Sequence, residues 1–316
     1  MELRGIHHVT AITSSSERIY EFYTKVLGLR LVKKTVNQDD INTYHLFFAD
    51  YEGNPGTDMT FFDFKGIDSR IIGSDVISKT SFRVKSDEAL LYFKKRFSEF
   101  NITHSEIEIL FGKKVLYFND FDDQNYMLIS DELNKGVNPG VTNPHINIPE
   151  PLQIVGLGPS WINVSDIELT DELFTKVLNF RKTSEDKDLT LYEMGEGGNG
   201  GSLIIKHVDK SPSYVGYGGV HHVAFRVKDN EELASWYNRL SKLNIRSSGL
   251  VDRFYFKSLY ARILPHVLFE FATDGPGFVD DEESLETLGT TLALPPKFRH
   301  MRSEIEKLIK PLNLKD

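Results

Sequence analysis

The chain has 316 residues, of which 26% are charged and 40% are hydrophobic, so we expect a globular protein with room for two domains. Its net charge of −9 argues against a nucleic-acid-binding groove, and no apolar run approaches the roughly 18 residues of a membrane span. The N-terminus has no secretory signal pattern, which favours a cytoplasmic protein. Cysteine is absent, which excludes disulfides, thiolate nucleophiles and cysteine-bound zinc. A metal ion would therefore be bound by His, Asp or Glu, and the chain contains ten histidines.

Four segments of the chain repeat one pattern. The first contains Gly5-Ile-His-His-Val-Thr-Ala, the last contains Gly219-Val-His-His-Val-Ala-Phe, and the equivalent strands begin at positions 8, 79, 159 and 222. Each predicted strand is followed by a Ser or Asp helix cap, an amphipathic helix and further β-rich runs. The pattern predicts four βαβββ units and an α+β fold class.

The composition changes between the second and third units. The segment that starts at Asn134 is rich in Gly, Pro and Asn, as is typical of a linker. After the fourth unit, an acidic stretch precedes a predicted helix at 295–308, whose mixed charges we expect to face solvent. In chain order we predict an N-terminal domain (1–133), a linker (134–156), a C-terminal domain (157–279) and a C-terminal tail with a helix (280–316).

Two His-His pairs distinguish the first and fourth units from the other two. His7-His8 and His221-His222 occupy equivalent positions, whereas units two and three have no histidine at positions 79 and 159. A single buried pair is usually explained by local hydrogen bonds, but a structural requirement of the strand would be expected in all four repeats. The distribution therefore favours a function for both pairs.

Strand alternation indicates which histidine of each pair faces the predicted site. In the fourth unit the residues at 223, 225 and 227 are apolar and typical of core, which places His222 on the opposite, cavity-facing side. By equivalence, His8 of the first unit faces the same cavity. His7 and His221 then remain open to interpretation as ordinary histidines of the core face.

Glu270 offers a carboxylate for the same site. It lies in the last predicted strand between Phe269 and Phe271, where an unpaired buried charge would be costly. The alternative is an edge strand in which Glu270 faces water. Together with His8 and His222, Glu270 gives two imidazoles and one carboxylate, which suit a non-haem Fe(II) ion with open positions for O2 and substrate. The same ligand types leave Mn(II) and Zn(II) open.

Longer motifs carry a family resemblance. They begin at Gly5 (Gly-Ile-His-His-Val-Thr), Tyr44 (Tyr-His-Leu-Phe-Phe-Ala-Asp), Gly53 (Gly-Asn-Pro-Gly-Thr-Asp), Gly219 (Gly-Val-His-His-Val-Ala-Phe), Tyr255 (Tyr-Phe-Lys-Ser-Leu-Tyr) and Leu268 (Leu-Phe-Glu-Phe-Ala-Thr-Asp). With these motifs in order, the chain resembles the vicinal oxygen chelate superfamily (glyoxalase, bleomycin resistance and dioxygenase proteins). Within it, the chain is most similar to ring-cleaving dioxygenases of the chlorohydroquinone and methylhydroquinone type. The resemblance covers nearly the whole chain and implies two domains of paired βαβββ units with half-barrel mixed sheets.

The resemblance implies a role for each site residue. It implies Fe(II) bound by the second His of each pair and by the strand Glu, which are His8, His222 and Glu270 here. Other interpretations stay open from the residues alone, with Tyr260 as a core aromatic and Arg253 as a solvated loop charge. The further roles implied are catalysis by Tyr260, Arg253, His221 and His7, and substrate binding by Thr10, Arg253 and Tyr260.

The implied activity is ring cleavage of a hydroquinone-type diol with O2 as co-substrate. Tyr260 and a neighbouring His would move protons, and Arg253 would stabilise developing anionic oxygen. The partners are then a small aromatic diol and dioxygen, without nucleic acid or membrane, in a chain that could form a homo-oligomer. Removal of quinones and hydroquinones or aromatic catabolism would be the context.

Three alternatives remain at this point. An extradiol catechol dioxygenase is the nearest, although such two-domain enzymes place their ligands together in the second half, whereas His8 lies in the first. A glyoxalase-I-like lyase or isomerase would need four protein ligands, and the first unit offers no second carboxylate. A non-catalytic, drug-sequestering module would need no metal ligands at all.

One turn departs from the family pattern. Relatives have a Gly-rich turn before the Glu strand, whereas this chain has Arg262-Ile-Leu-Pro-His-Val-Leu. Loss of glycine where a positive φ is required would reshape the turn, so we expect an effect on the register of Glu270 or on the pocket edge.

Overall fold

The computed structural model of the protein describes residues 1–312 and confirms a mixed α+β fold. Each repeat begins with a strand that leads through a capped helix into three further strands. The strands are β1 Ile6–Ile12, β2 Arg30–Asn37, β3 Asp40–Ala49, β4 Asp58–Phe62, β5 Val76–Val84, β6 His104–Leu110, β7 Lys113–Asn119, β8 Asn125–Ser130, β9 Ile154–Leu157, β10 Ser160–Val164, β11 Arg181–Asp186, β12 Leu189–Glu193, β13 Ser202–His207, β14 Val220–Val227, β15 Ser247–Asp252, β16 Lys257–Leu264 and β17 Val267–Thr273. The helices are α1 Ser16–Glu21, α2 Asp87–Glu99, α3 Ile167–Glu172, α4 Asn230–Lys242 and α5 Arg302–Leu308.

Side-chain caps begin the helices of the four repeats. The hydroxyl of Ser15 or Ser86, or the carboxylate of Asp166 or Asp229, accepts a backbone N–H of the first turn, which satisfies one of the donors that a helix start leaves unpaired. Helices α1 and α3 each continue into a π-helical turn, at Phe22–Leu27 and Leu173–Val177. The first and third repeats therefore share this irregularity.

The strands form two curled sheets. One has the order β15-β16-β17-β14-β1-β4-β3-β2, and the other has the order β11-β12-β13-β10-β5-β8-β7-β6 with β9 beside β5. The first unit thus shares its sheet with the fourth, and the second with the third. Our predicted halves instead grouped units that follow one another along the chain. The sheets differ because each is built by pairing the first strands of two units, β1 with β14 and β5 with β10, and these strands are far apart in sequence. The domain boundaries themselves stay a prediction.

The two faces of the first sheet have different environments. Its convex face belongs to the main hydrophobic core, which includes Val9, Val223, Phe225 and Phe271 and packs against the helices. Its concave face carries the polar side chains of the site. Apolar burial against the helices therefore fixes which side of β1, β14 and β17 is turned toward the cavity.

The C-terminal tail packs along β2, an edge strand of the first sheet. The N–H of Ala293 donates to the carbonyl of Lys34 at 2.9 Å, and Leu292 forms a bridge with the same residue. The predicted helix at 295–308 is in fact a 3₁₀ segment, Pro296–Met301, followed by α5, whose Ile305 is buried. The tail thereby covers backbone groups that an edge strand would otherwise expose. Within residues 1–312, every helix is too short or too polar to cross a bilayer.

Candidate active site

Three buried side chains meet at the centre of the concave face. His8 Nε2 lies 3.1 Å and His222 Nε2 lies 3.0 Å from Glu270 Oε2, and the two Nε2 atoms are 3.3 Å apart. The three residues expose at most 4% of their surface. We call His8, His222 and Glu270 the triad; they are the three residues that we predicted as metal ligands.

The sheet register explains why these residues meet. His8 of β1 pairs with Ala224 of β14, and Ala224 pairs with Glu270 of β17. Paired residues point to the same face, and the small methyl group of Ala224 leaves the space that the longer side chains fill. His222 lies two residues before Ala224 on the same strand, so it faces the same way.

The other histidine of each pair lies at a β-bulge. The pairing passes from Ile6–Phe225 to His8–Ala224 and skips His7, and it passes from Thr10–His222 to Ala11–Val220 and skips His221. An extra residue interrupts the alternation of a strand, so neighbouring side chains can lie on one side. The rings within each pair are in edge contact, with centroids 5.0 Å apart in both. The core-face interpretation of His7 and His221 is therefore wrong, because it assumed regular strands.

Hydrogen bonds orient the ring of His8. His7 Nε2 lies 3.1 Å from the carbonyl oxygen of Thr273, and His7 Nδ1 lies 2.9 Å from His8 Nδ1. Burial, followed by the charge of His8, lowers the pKa of His7 to about 3, so the ring is neutral. The one N–H of neutral His7 must then lie on Nε2 and donate to the carbonyl of Thr273, because a carbonyl oxygen can only accept. His8 therefore donates from Nδ1, and Nε2 is the nitrogen that faces Glu270.

The fourth unit repeats this arrangement. His221 Nδ1 lies 2.7 Å from His222 Nδ1, and burial lowers the pKa of His221 to about 3 and also lowers the pKa of His222. Both rings are thus neutral, although His221 has no counterpart of the carbonyl contact that fixes His7. In the tautomer in which His222 donates from Nδ1, its Nε2 directs a lone pair at the triad. Both pairs can present an unprotonated nitrogen, which is the form that binds a metal.

Glu270 supplies the negative charge of the triad. Its Oε1 accepts a hydrogen bond from Ser258, whereas Oε2 accepts none with ordinary geometry although two imidazoles are near. Burial would raise the pKa of Glu270, but His8 and His222 hold it well below its usual range, so the group is a carboxylate. The three ligand atoms lie within 4.8 Å of one another. Two lone pairs and an unpaired carboxylate oxygen, converging in a buried space, fit a divalent cation.

A cavity of about 480 Å³ opens beside the triad. Tyr260 and Arg253 both line it: the ring of Tyr260 lies 5.8 Å from that of His222, and Arg253 Nε donates to Tyr260 Oη at 3.2 Å. Arg253 also forms a two-pronged ion pair with Asp39, at 2.8 and 3.1 Å. Its side chain is 18% exposed, so it is a paired residue of the cavity wall rather than a solvated loop charge. The aromatic part of the lining consists of Phe47, Phe62, Phe64, Tyr255, Phe256 and Tyr260.

Besides Glu270 of the triad, two of the predicted site residues lie outside the lining. Thr10 is fully buried, and its hydroxyl lies 2.7 Å from that of Thr60. His7 is buried behind His8. Both can therefore act on a ligand through a neighbour rather than by direct contact.

The comparisons with known proteins agree with this architecture. The family model of the Glyoxalase/Bleomycin resistance protein/Dioxygenase superfamily matches residues 5–108 and 152–277. The chain belongs to this superfamily. The matched segments contain all three residues of the triad, so the candidate site lies in the part of the chain that defines the family.

Relatives in the superfamily align along the whole chain. MhqA of Bacillus subtilis (strain 168), provisionally named a ring-cleaving dioxygenase, is 43% identical over 318 residues, which cover 99% of this chain and 100% of MhqA. The chlorohydroquinone/hydroquinone 1,2-dioxygenase of Sphingobium indicum is 29% identical and covers 96% of this chain and 95% of its own length. A crystal structure from Bacillus subtilis subsp. subtilis str. 168, provisionally described as a dioxygenase, matches with a TM-score of 0.91 at 30% identity over 100% of this chain and 99% of its own.

The altered turn of this superfamily member keeps Glu270 in place. Pro265 and His266 connect β16 to β17, and His266 takes a φ of 64°, the left-handed conformation that glycine would adopt more easily. A register irregularity lies between Ala261 and Leu264, next to this turn, and Tyr260 pairs with Glu270. Glu270 therefore belongs to the triad with this turn in place.

Many residues of the lining were not predicted from the sequence, and two of them have ionisable side chains that matter for the cavity. His45 of β3 and Asp39 of the β2–β3 turn both line the cavity. Alternation along β3, with His45 and Phe47 on one face, was a usable signal. It could not be assigned to the cavity, because nothing local in the first unit shows that β3 curls back over β1.

Proposed function

We propose that this protein is an Fe(II)-dependent dioxygenase that opens the ring of a hydroquinone-type diol. The observation that carries the proposal is the triad, in which two imidazoles and one carboxylate converge at the wall of an aromatic-lined cavity. The relatives named as ring-cleaving dioxygenases support the reaction, and the one named for chlorohydroquinone and hydroquinone supports the substrate class.

Iron is favoured by the ligand set. Two histidines and one carboxylate on one side of an ion are the usual ligands of non-haem Fe(II) oxygenases, whereas Mn(II) and Zn(II) accept the same atoms without such a preference. When bound, Fe(II) would supply adjacent open positions for a diol oxygen and for O2. The triad carries one negative charge, which a divalent ion would compensate.

Side chains near the triad would place and move protons. Burial, followed by the charge of Glu270, raises the pKa of Tyr260, so its hydroxyl stays protonated at neutral pH and can donate to substrate oxygen. Burial opposes the charge of Arg253, but hydrogen bonds to Asp39 and Tyr260 raise its pKa, so it remains a cation beside developing anionic oxygen. His221 lines the cavity and would donate from Nε2, since its Nδ1 serves His222.

His7 and Thr10 would be positioning residues in this scheme. His7 fixes the ring nitrogen that His8 presents to the triad, and Thr10 acts through Thr60. Neither contacts the cavity, so their effect on substrate would be indirect.

The number of ligands bears on the main rival. Within residues 1–312, the cluster of potential metal-binding side chains has three members, whereas a glyoxalase-I-like lyase or isomerase is expected to use four. Removal of toxic quinones and hydroquinones, or catabolism of aromatic compounds, is the role that we propose for the dioxygenase.

Oxygen consumption tests the proposal. The protein is reconstituted anaerobically with Fe(II), and oxygen uptake is measured with hydroquinone, methylhydroquinone and catechol side by side. We expect uptake with the two para-diols and a ring-opened product. Uptake with catechol alone would identify an extradiol catechol enzyme, and uptake with none of the three would exclude ring cleavage of these diols.

Metal content tests the ligands separately. We expect His8→Ala, His222→Ala and Glu270→Ala each to lose iron, while His104→Ala, a histidine on the other sheet, retains it. Full iron retention by the triad variants would disprove the ligand assignment whatever the reaction proves to be.

A further inference from the structure

His45 projects into the cavity from the strand two places away from β1. Its ring lies between Phe47 and Phe62, with centroid distances of 4.0 and 4.4 Å, and it lines the cavity. The sheet order is β1-β4-β3, so the backbones of β1 and β3 lie about 10 Å apart, and the register places His45 opposite Phe62, which pairs with Ile12, four residues along β1 from His8. His45 therefore lines the same cavity as His8 and His222 but at a separate place on its wall.

One nitrogen of His45 is held by a chain of hydroxyl groups. Nε2 lies 3.0 Å from Thr60 Oγ1, which in turn lies 2.7 Å from Thr10 Oγ1. These bonds link β3 through β4 to β1, and with the two phenylalanine rings they fix the imidazole in one orientation. His45 is therefore pre-organised before any ligand arrives.

The other nitrogen of His45 is available to a ligand. No residue of 1–312 hydrogen-bonds to Nδ1, yet Nδ1 is not among the fully enclosed polar atoms that lack a partner, so it keeps accessible surface. Two phenylalanine rings and Thr60 enclose the remainder of the ring, so this surface belongs to the cavity. Burial, the largest cause, lowers the pKa of His45 well below its usual value, so the ring is neutral. In the tautomer that donates from Nε2 to Thr60, Nδ1 carries a lone pair that a ligand hydroxyl can use.

Several other polar groups of the cavity wall are already engaged. Arg253 is engaged by Asp39 and Tyr260, and Gln38 donates to the carbonyl of Arg253 at 2.7 Å. The carboxylate of Asp40 accepts from the side chains of Asn42 and Thr43. The lining also contains atoms without a partner that are fully enclosed, namely Thr35 Oγ1, Gln38 Oε1 and Tyr255 Oη. His45 Nδ1 differs from these three atoms because it keeps accessible surface, so a ligand hydroxyl can reach it without breaking an existing bond.

We propose that His45 is a specificity-determining residue, whose Nδ1 accepts a hydrogen bond from the second hydroxyl of a para-diol. The inference rests on the proposed function and names how its substrate class is selected. The hydroxyls of a hydroquinone lie at opposite ends of the ring, so one reaches the triad while the other reaches the far wall. The two hydroxyls of a catechol are neighbours, so the second would stay near the triad and leave His45 unpaired.

Ligand binding without turnover tests the proposal. The protein is loaded with Zn(II), and the dissociation constants of hydroquinone and phenol are measured anaerobically by calorimetry. Phenol lacks only the second hydroxyl, so the ratio of the two constants isolates its contribution. In the wild type we expect hydroquinone to bind about 10- to 100-fold more tightly than phenol.

Four variants then assign this preference to one atom. His45→Phe keeps a ring between Phe47 and Phe62 but removes both nitrogens, and His45→Gln keeps a group near Thr60 but none at Nδ1. We expect both to bring the ratio close to one, while phenol affinity changes less than about threefold. His45→Asn places an amide near the Nδ1 position and should restore part of the preference. His104→Phe, whose Nε2 also meets a hydroxyl at 2.9 Å but outside the cavity, should keep the wild-type ratio.

The outcomes separate this inference from the proposed function. A wild-type ratio near one, or variants of His45 that keep the full wild-type ratio, would overturn the role of His45. If His45→Phe does not fold, the contrast between His45→Asn and His45→Gln decides, and equal ratios in these two would count against Nδ1. Absence of oxygen uptake by the Fe(II)-loaded wild type would overturn the dioxygenase while the binding ratio still tests His45.

Discussion

His7 determines which nitrogen His8 presents to the triad. The two Nδ1 atoms are 2.9 Å apart, and the other nitrogen of His7 is committed to the carbonyl of Thr273. A carbonyl can only accept, so the direction of both hydrogen bonds is fixed from the backbone outward. The bulge that places His7 beside His8 is therefore part of the site, because a regular strand would turn the two rings apart.

Replacing His7 tests this orientation. We expect His7→Phe to weaken metal binding by about 10- to 100-fold, because partners of ligating histidines have effects of this size. His7→Asn, with an oxygen near the Nδ1 position, should lose less. Affinity is measured by competition with a chelator, and His145→Phe, an exposed histidine, serves as control. An unchanged affinity in folded His7→Phe would show that His8 is oriented without His7.

Much of the triad could be predicted because strand alternation is local. His222 and Glu270 each lie in a strand whose opposite face is visibly apolar, so the face of each could be inferred from a few neighbours. The face of His8 could then be inferred from its equivalence to His222 in the repeat. The motif at Gly5 and the motif at Gly219 defined equivalent positions without any knowledge of tertiary contacts.

The features that escaped prediction depend on distant parts of the chain. Whether His221 forms a bulge depends on its register against β1, more than 200 residues away along the chain. The pairing of β1 with β14 also decides which unit shares a sheet with the first unit. His45 lies in a strand with clear alternation, but only closure of the sheet shows which face encloses the cavity.

Tyr260 provides a prediction that separates chemistry from metal binding. Its hydroxyl accepts from Arg253 and lines the cavity, but no atom of Tyr260 belongs to the triad. We expect Tyr260→Phe to lower turnover by about 10²- to 10⁴-fold, the usual contribution of a proton-transfer group, while iron affinity stays within about twofold. Oxygen uptake and iron content are measured on the same samples.

A matched control makes the Tyr260 result specific. Tyr237→Phe removes a hydroxyl from a residue that is 38% exposed on α4, and it should retain wild-type turnover. Wild-type turnover in Tyr260→Phe would remove Tyr260 from the proton-transfer scheme. A loss of iron would instead identify it as a support of the triad.

Lys33 and Glu283 connect the tail to the cavity wall. Both side chains are fully buried, with Nζ 2.7 Å from Oε2, and Lys33 also lies 5.1 Å from the ring of Tyr255. Glu283→Ala leaves the buried ammonium of Lys33 with only its longer contact to Asp280, at 3.4 Å, so we expect it to lower the free energy of unfolding by up to about 3–5 kcal/mol. The double variant Lys33→Met with Glu283→Leu should lower the free energy of unfolding much less, because it leaves no ammonium buried. Urea unfolding measures the difference.

An exposed ion pair is the control for Lys33 and Glu283. Lys176 and Glu172 are 2.9 Å apart on the surface, and Glu172→Ala should leave stability within the error of the measurement. Equal effects of Glu283→Ala and Glu172→Ala would show that the buried pair adds nothing to stability. A double variant as unstable as Glu283→Ala would show that shape, rather than charge, is what the tail requires.

Asp120 makes stability depend on pH. Its carboxylate accepts from Tyr126 Oη at 2.9 Å and from the backbone N–H of Asp122 and Gln124, but burial raises its pKa to about 6. The folded state therefore favours the protonated form. Its contribution to stability is fully present below the unfolded pKa of 3.8 and is lost as pH rises through about 6. The difference amounts to about 3 kcal/mol.

Replacing Asp120 by Asn removes this dependence, because the amide does not titrate and its oxygen can still accept from the same backbone N–H groups. We expect the unfolding free energy of Asp120→Asn, relative to the wild type, to rise between pH 4 and pH 7 by up to about 3 kcal/mol. Urea unfolding at a series of pH values measures it, with Asp209→Asn, an exposed carboxyl, as the flat control. Parallel pH curves for the wild type and Asp120→Asn would mean that Asp120 is ionised in the folded protein at no cost, so that its three hydrogen bonds fully offset its burial.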